Sequence, residues 1–129
     1  METYGKHILI ELNGCDFELL DDENLIVSVL TELAQRIGAI IVEHASHRFS
    51  PYGVTAMFLI QESHLSIHTW PEAGYAALDF YTCGDVVVSA DCVKWVANAL
   101  SSQEYRTFSI LRGCQKRVPT MAHEFDCVI

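Results

Sequence analysis

Three consecutive runs decide the fold: Val54-Thr55-Ala56-Met57-Phe58-Leu59-Ile60-Gln61, then His64-Leu65-Ser66-Ile67-His68-Thr69-Trp70, then Tyr75-Ala76-Ala77-Leu78-Asp79-Phe80-Tyr81-Thr82-Cys83. Each is of strand length and rich in β-branched, aromatic and apolar residues. The second and third are joined through Pro71-Glu72-Ala73-Gly74, and strands joined by short turns pair antiparallel. Upstream, 39–49 reads as a further strand, joined to 54–61 by the turn Ser50-Pro51-Tyr52-Gly53. Residues 7–12 read as a strand as well. Asp21-Asp22 offers a helix start, and Leu25, Val29, Leu30, Leu33, Ala34 and Ile37 then recur at helical spacing up to Gly38. A second helix is predicted from Ser89, with Val93, Val96, Ala97 and Leu100 on one face, and a last strand over 105–111.

The predicted order is β-α-β-β-β-β-α-β. Two amphipathic helices cover one face of a mainly antiparallel sheet, so the expected fold is an α+β two-layer sandwich. The opposite face must be polar or buried against something else. Met57, Leu59, Leu65, Ile67, Ala77 and Leu78 are too apolar for two wet faces, which predicts dimerisation through the sheet.

Composition bounds the function. The 129 residues fit a single domain, 1–129, with 50% hydrophobic and 19% charged residues and no linker, repeat or low-complexity stretch. A formal net charge of −9 argues against nucleic acid and anionic membrane as partners, since both need a concentrated basic face. It permits a cationic small molecule. The apolar run Ala56-Met57-Phe58-Leu59-Ile60 is far too short to span a bilayer, and no signal-peptide core is read. Cys15, Cys83, Cys92, Cys114 and Cys127 include no C-x-x-C pair, which predicts free thiols in a reducing, cytoplasmic setting, most of them small core fillers.

No phosphate-binding glycine loop and no G-x-S-x-G elbow occurs. The chemistry-bearing stretch is Glu62-Ser63-His64-Leu65-Ser66-Ile67-His68-Thr69-Trp70-Pro71-Glu72, followed by Phe80-Tyr81-Thr82-Cys83-Gly84. Three readings compete. One is a half-buried strand whose polar groups are merely hydrogen-bonded. A second is a metal site from His64, His68, His47 and a cysteine; on a strand, however, His64 and His68 stand about 13 Å apart and cannot share one ion without a bend. The third is nucleophilic chemistry by Ser63 or Cys83 with His68 as base.

Together with His47-Arg48-Phe49-Ser50-Pro51-Tyr52-Gly53-Val54-Thr55 and the opening Gly5-Lys6-His7, these segments closely resemble the short prokaryotic S-adenosylmethionine decarboxylase proenzymes, over most of residues 5–85. The resemblance implies self-cleavage between Glu62 and Ser63, giving chains 1–62 and 63–129. It implies that Ser63 becomes a pyruvoyl group, that His68 is the processing base, and that Thr55, where serine is usual, supplies a second processing hydroxyl. Cys83 matches the acid that protonates the substrate. Phe49 and Trp70 match aromatic partners for adenine, and Glu72 matches a ribose-hydroxyl acceptor. The pyruvoyl carbonyl forms a Schiff base with the substrate, so neither metal nor pyridoxal phosphate is expected.

Ser63 and His68 are five residues apart, about 17 Å on an extended strand, and point to opposite faces. Either the strand bends sharply at Ser63 or the base comes from a second copy. The expectation is a homodimer with shared sites, Ser63 and Cys83 of one chain meeting Phe49, Thr55, His68 and Glu72 of the other. Two alternatives stay open: a pyruvoyl decarboxylase of the same fold acting on ornithine or arginine, and an unprocessed homologue with a regulatory role.

Overall fold

A computed structural model describes residues 4–83, 86 and 88–113, together with the backbone of a strand at 123–128. Strands β1 (Gly5–Asn13), β2 (Ile41–Arg48), β3 (Val54–Ile60), β4 (Ser63–Trp70), β5 (Tyr75–Cys83), β6 (Glu104–Arg112) and β7 (His123–Val128) form one sheet in the order β2-β3-β4-β5-β1-β6-β7. Every pairing is antiparallel. Helices α1 (Phe17–Leu20), α2 (Glu23–Arg36) and α3 (Ala90–Ala99) complete the fold.

Each helix begins where a side chain can take up an orphan amide. Asp16 accepts from the Leu19 amide, Asp22 from that of Leu25 and Ser89 from that of Cys92. Gly38 ends α2 in a left-handed conformation, φ 76°. Ile26, Val29, Leu30, Leu33 and Ala34 of α2 and Val93, Val96 and Ala97 of α3 are buried against one side of the sheet. That side contributes Ile8, Ile10, Leu12, Ala56, Phe58, Leu65, Ile67, Leu78 and Phe80 to the core.

The expected α+β sandwich is therefore what forms. Two elements were not read from the sequence. Helix α1 is one capped turn with no room for a periodic pattern, and β7 carries too weak an alternation. Strand β2 starts at Ile41 rather than residue 39, because the Ala39 amide still closes the end of α2 on the Ala34 carbonyl, 2.9 Å away.

The expectation of a strongly apolar second face needs correction. Leu65, Ile67 and Leu78 are buried under the helices, because the register sets them on the same side as Ala56 and Phe58. Only Met57 (53% exposed), Leu59 (55%) and Ala77 belong to the uncovered side. Its other residues include His7, His64, Ser66, His68, Asp79 and Cys83. This face is mixed, since Leu9, Trp70, Tyr75 and Tyr81 also lie on it. Cys114 lies outside the described residues, and of Cys127 only its backbone position in β7 is described.

Candidate active site

The candidate residues collect at the two ends of β4. At its start, Glu62 and Ser63 close the tight link from β3, with Ile60 opposite Ser63. Ser63 has φ 152°, a conformation that L-residues other than glycine adopt only under strain. On the adjacent strand, the Cys83 thiol donates a hydrogen bond to the Glu62 carbonyl oxygen at 3.0 Å. That carbonyl belongs to the Glu62–Ser63 peptide. The Glu62 carboxylate accepts from the Ile40 amide at 3.3 Å, tying the link to the entry of β2.

At the other end, Thr55 and His68 face each other across β3 and β4, with Thr55 Oγ1 3.0 Å from His68 Nδ1. The Trp70 ring lies 6.4 Å from that of His68 and stacks on Tyr75 at 5.3 Å. His47 stands opposite Thr55 on β2, and its ring meets Phe49 edge-on at 4.6 Å. Phe49 (47% exposed) and Trp70 (43%) present their rings to the outside, and Glu72 is exposed in the short 3₁₀ turn Pro71–Ala73.

The two ends do not meet within one chain. Strand β4 pairs without a register shift to β3 and to β5 from Ser63 onward, so it has no sharp bend. The span from Ser63 to His68 is about 17 Å at strand rise, and the two positions alternate to opposite sides of the sheet. The structure thus brings Ser63, Glu62 and Cys83 together, and separately Thr55 with His68.

Between these ends lies a third group, which sequence reading missed. Asp79 Oδ2 accepts from His7 Nε2 at 2.8 Å and from His64 Nε2 at 2.9 Å, and Asp79 Oδ1 accepts from Ser66. Arg112 reaches His7 Nδ1 at 3.4 Å and lies over the Tyr81 ring at 4.2 Å. Since a guanidinium only donates, Nδ1 accepts and the His7 proton sits on Nε2. Burial pushes the Asp79 carboxyl up, but the hydrogen bonds from Ser66, His64 and His7 outweigh it and hold the group below its ordinary value.

Among the described residues, His7, His64 and Asp79 also form a trio whose ligand atoms lie close together, a different set from the His64, His68, His47 and cysteine combination that strand spacing had argued against. A metal-bound imidazole donates its other N–H to an acceptor. Here a donor faces that nitrogen, which suits a hydrogen-bonded carboxylate better than an ion. Only the β1–β5–β4 register reveals this group, because His7 is 72 residues from Asp79.

Comparison with known proteins matches most of the chain to one family. Residues 6–113 match the family model described as S-adenosylmethionine decarboxylase. The S-adenosylmethionine decarboxylase proenzyme of Syntrophomonas wolfei is 43% identical over 117 residues, covering 91% of this chain and 93% of that protein. That of Caldanaerobacter subterraneus is 44% identical over 113 residues, 88% and 91% of the two chains. The crystal structure of the adenosylmethionine decarboxylase from Aquifex aeolicus superposes with a TM-score of 0.76 at 28% identity, covering 94% of this chain and all of that one. A Trypanosoma brucei AdoMetDC monomer shares the fold at 13% identity, with a TM-score of 0.62 over 81% of this chain and 45% of that chain. The chain belongs to the S-adenosylmethionine decarboxylase family.

Proposed function

We propose that this protein is a proenzyme that cuts itself between Glu62 and Ser63 and then decarboxylates S-adenosylmethionine, making the aminopropyl donor for spermidine synthesis. The observation that carries the reading is the Cys83 thiol on the Glu62 carbonyl beside the strained Ser63. A hydrogen bond to that oxygen polarises the carbonyl and stabilises the charge that develops when the Ser63 hydroxyl attacks it. The amide becomes an ester and the Ser63 nitrogen becomes an amine. Removal of the Ser63 α-proton then expels the Glu62 carboxylate and leaves dehydroalanine. Tautomerisation and hydrolysis by water release ammonia and leave a pyruvoyl end on chain 63–129.

His68 is the base for the α-proton. If its Nδ1–H donates to Thr55 Oγ1, 3.0 Å away, Nε2 keeps a free lone pair. That base cannot reach Ser63 of its own chain. Two copies placing their uncovered faces together would bring His68 and Thr55 of the partner subunit to this chain's Cys83, which lies on that face, and so to the Glu62–Ser63 peptide at the strand end that its thiol contacts. Burying Met57 and Leu59 favours that pairing.

The pyruvoyl group fits a hydroxyl residue placed directly after a polarised carbonyl, and it supplies the electron-accepting carbonyl that pyridoxal phosphate supplies elsewhere. The chain's own residues do the rest. Phe49 and Trp70 offer exposed faces for adenine and for a sulfonium cation, Glu72 accepts from the ribose hydroxyls, and Cys83 returns a proton to the substrate α-carbon. Cys15, Cys83 and Cys92 are free thiols, in keeping with a reducing cytoplasm. No helix among the described residues is long and apolar enough to cross a membrane. Intact-mass analysis and carbon dioxide release from S-adenosylmethionine, ornithine and arginine test the reading together. Two fragments and release from S-adenosylmethionine alone are expected; an active protein made only of full-length chain overturns it.

A further inference from the structure

The turn between β2 and β3 carries Phe49, and it is gripped from the helical side. Asp21, between α1 and α2, accepts from the Gly53 amide at 3.0 Å through Oδ1 and from Arg48 Nη2 at 2.7 Å through Oδ2. Arg48 Nε donates to the Asp21 carbonyl at 3.2 Å. One carboxylate thus holds both flanks of the turn. Its hydrogen bonds from Gly53 and Arg48 keep Asp21 below the ordinary carboxylate range.

A second tie runs beside the first. The buried Thr69 hydroxyl donates to the Leu20 carbonyl at 2.8 Å and accepts from the Val54 amide at 2.8 Å. Gly53 has φ 108°, and a Cβ there would sit 2.9 Å from the Thr69 carbonyl oxygen, so the turn can approach β4 this closely only at glycine. Phe49 donates its amide to the Gly53 carbonyl at 2.8 Å. Its ring, by contrast, stands out from the turn with His47 at its edge. Apart from the Tyr52 ring, which meets Phe17 of α1 edge-on at 5.0 Å, a turn of this length holds a projecting ring in place through these ties.

We propose that Asp21, acting through Arg48 and the Gly53 amide, is a positioning residue that presents the Phe49 ring to the adenine of the substrate. The proposal rests on Phe49 being the adenine contact. Asp21 touches no reacting atom, so its loss weakens substrate binding and spares the chemical step.

Steady-state kinetics on Asp21→Ala, Asp21→Asn, Phe49→Ala and the Asp21→Ala/Phe49→Ala double variant decide it. Phe49→Ala raises KM for S-adenosylmethionine. Asp21→Ala raises it about tenfold with kcat within about twofold, as expected for lost orientation rather than lost chemistry. Asp21→Asn, which keeps an acceptor for Gly53 but loses the ion pair, falls between. In the double variant the Asp21 effect disappears, because nothing is left to position. If Phe49→Ala leaves KM unchanged, the adenine contact is wrong and the proposal goes with it. If Phe49→Ala raises KM while both Asp21 variants melt earlier at unchanged KM, the adenine contact stands and Asp21 is only structural. Should Asp21→Ala not fold, Asp21→Asn and Arg48→Lys give the same readout.

Discussion

The two ends of β4 differ in what each lacks. At the Ser63 end a nucleophile sits on strained backbone beside a carbonyl that a thiol already polarises, with His68 of the same chain about 17 Å away along the strand. At the His68 end a hydroxyl and an imidazole are paired and flanked by aromatic rings, with no scissile bond in reach. On the proposed reading each end is half of a catalytic centre. The straight, doubly paired strand between them separates the halves, and a second copy of the same chain would reunite them. A symmetric pair needs no new sequence for this: one surface with complementary ends meets itself twice.

The largest effect expected is on the nucleophile. Ser63→Ala removes the attacking hydroxyl, so the chain stays uncut and decarboxylation is lost; a single mass of full length checks it.

Mixing two kinds of chain tests whether the halves belong to different subunits. Uncleaved Ser63→Ala chains refolded together with His68→Ala chains give mixed dimers in which one site has both residues and the other neither. Cleavage should appear only in the His68→Ala chain. Mixed dimers that never cleave would place the base within its own chain and require β4 to bend.

Cys83→Ala acts on the Ser63 end alone. Turnover in fully processed protein should fall on the order of a hundredfold or more, through loss of the positioned acid. Cleavage should slow by a smaller factor, about tenfold, because a thiol is a weak donor. Normal turnover in processed protein would remove Cys83 from the mechanism.

Thr55→Val tests the His68 end. It keeps the shape and deletes the hydroxyl that orients the imidazole, so cleavage should slow about tenfold while the melting temperature barely moves. Restoration by Thr55→Ser separates orientation from packing.

The smallest effect falls between the ends, at Asp79. Its folded pKa is depressed, so its contribution to stability is present above the unfolded value of about 3.9 and is lost as pH falls through the lower folded value. Asp79→Asn should cost about 1–2 kcal/mol at pH 7. The gap to the parent should narrow as pH falls below the ordinary carboxylate range. Urea midpoints at pH 7, 5 and 3 measure it, and a pH-independent gap would contradict the assignment.

Much of this was legible in the chain. The runs at 54–61, 64–70 and 75–83 mark strands by composition alone, and the Asp22 and Ser89 caps announce their helices. The spacing of Ser63 and His68 already forbade their meeting on a straight strand. Other features were hidden. The one-turn helix α1 has no periodicity to detect, yet it adjoins the carboxylate that grips the Phe49 turn. Leu65 and Ile67 look the same in sequence whichever face they occupy, and only the register buries them.

The sequence by itself determined the fold class, the starts of the two longer helices and the Glu62–Glu72 stretch that carries the family resemblance, because these depend on residue type and on neighbours a few positions away. The tertiary structure decided the rest. It set the φ of Ser63, the thiol contact on Glu62, and the His7–Asp79–His64 group, and it left the base apart from the nucleophile. The physical reason is strand register. A shift of one residue exchanges the two faces of a strand and changes its cross-strand neighbours, and register is fixed only when the whole sheet packs against its helices.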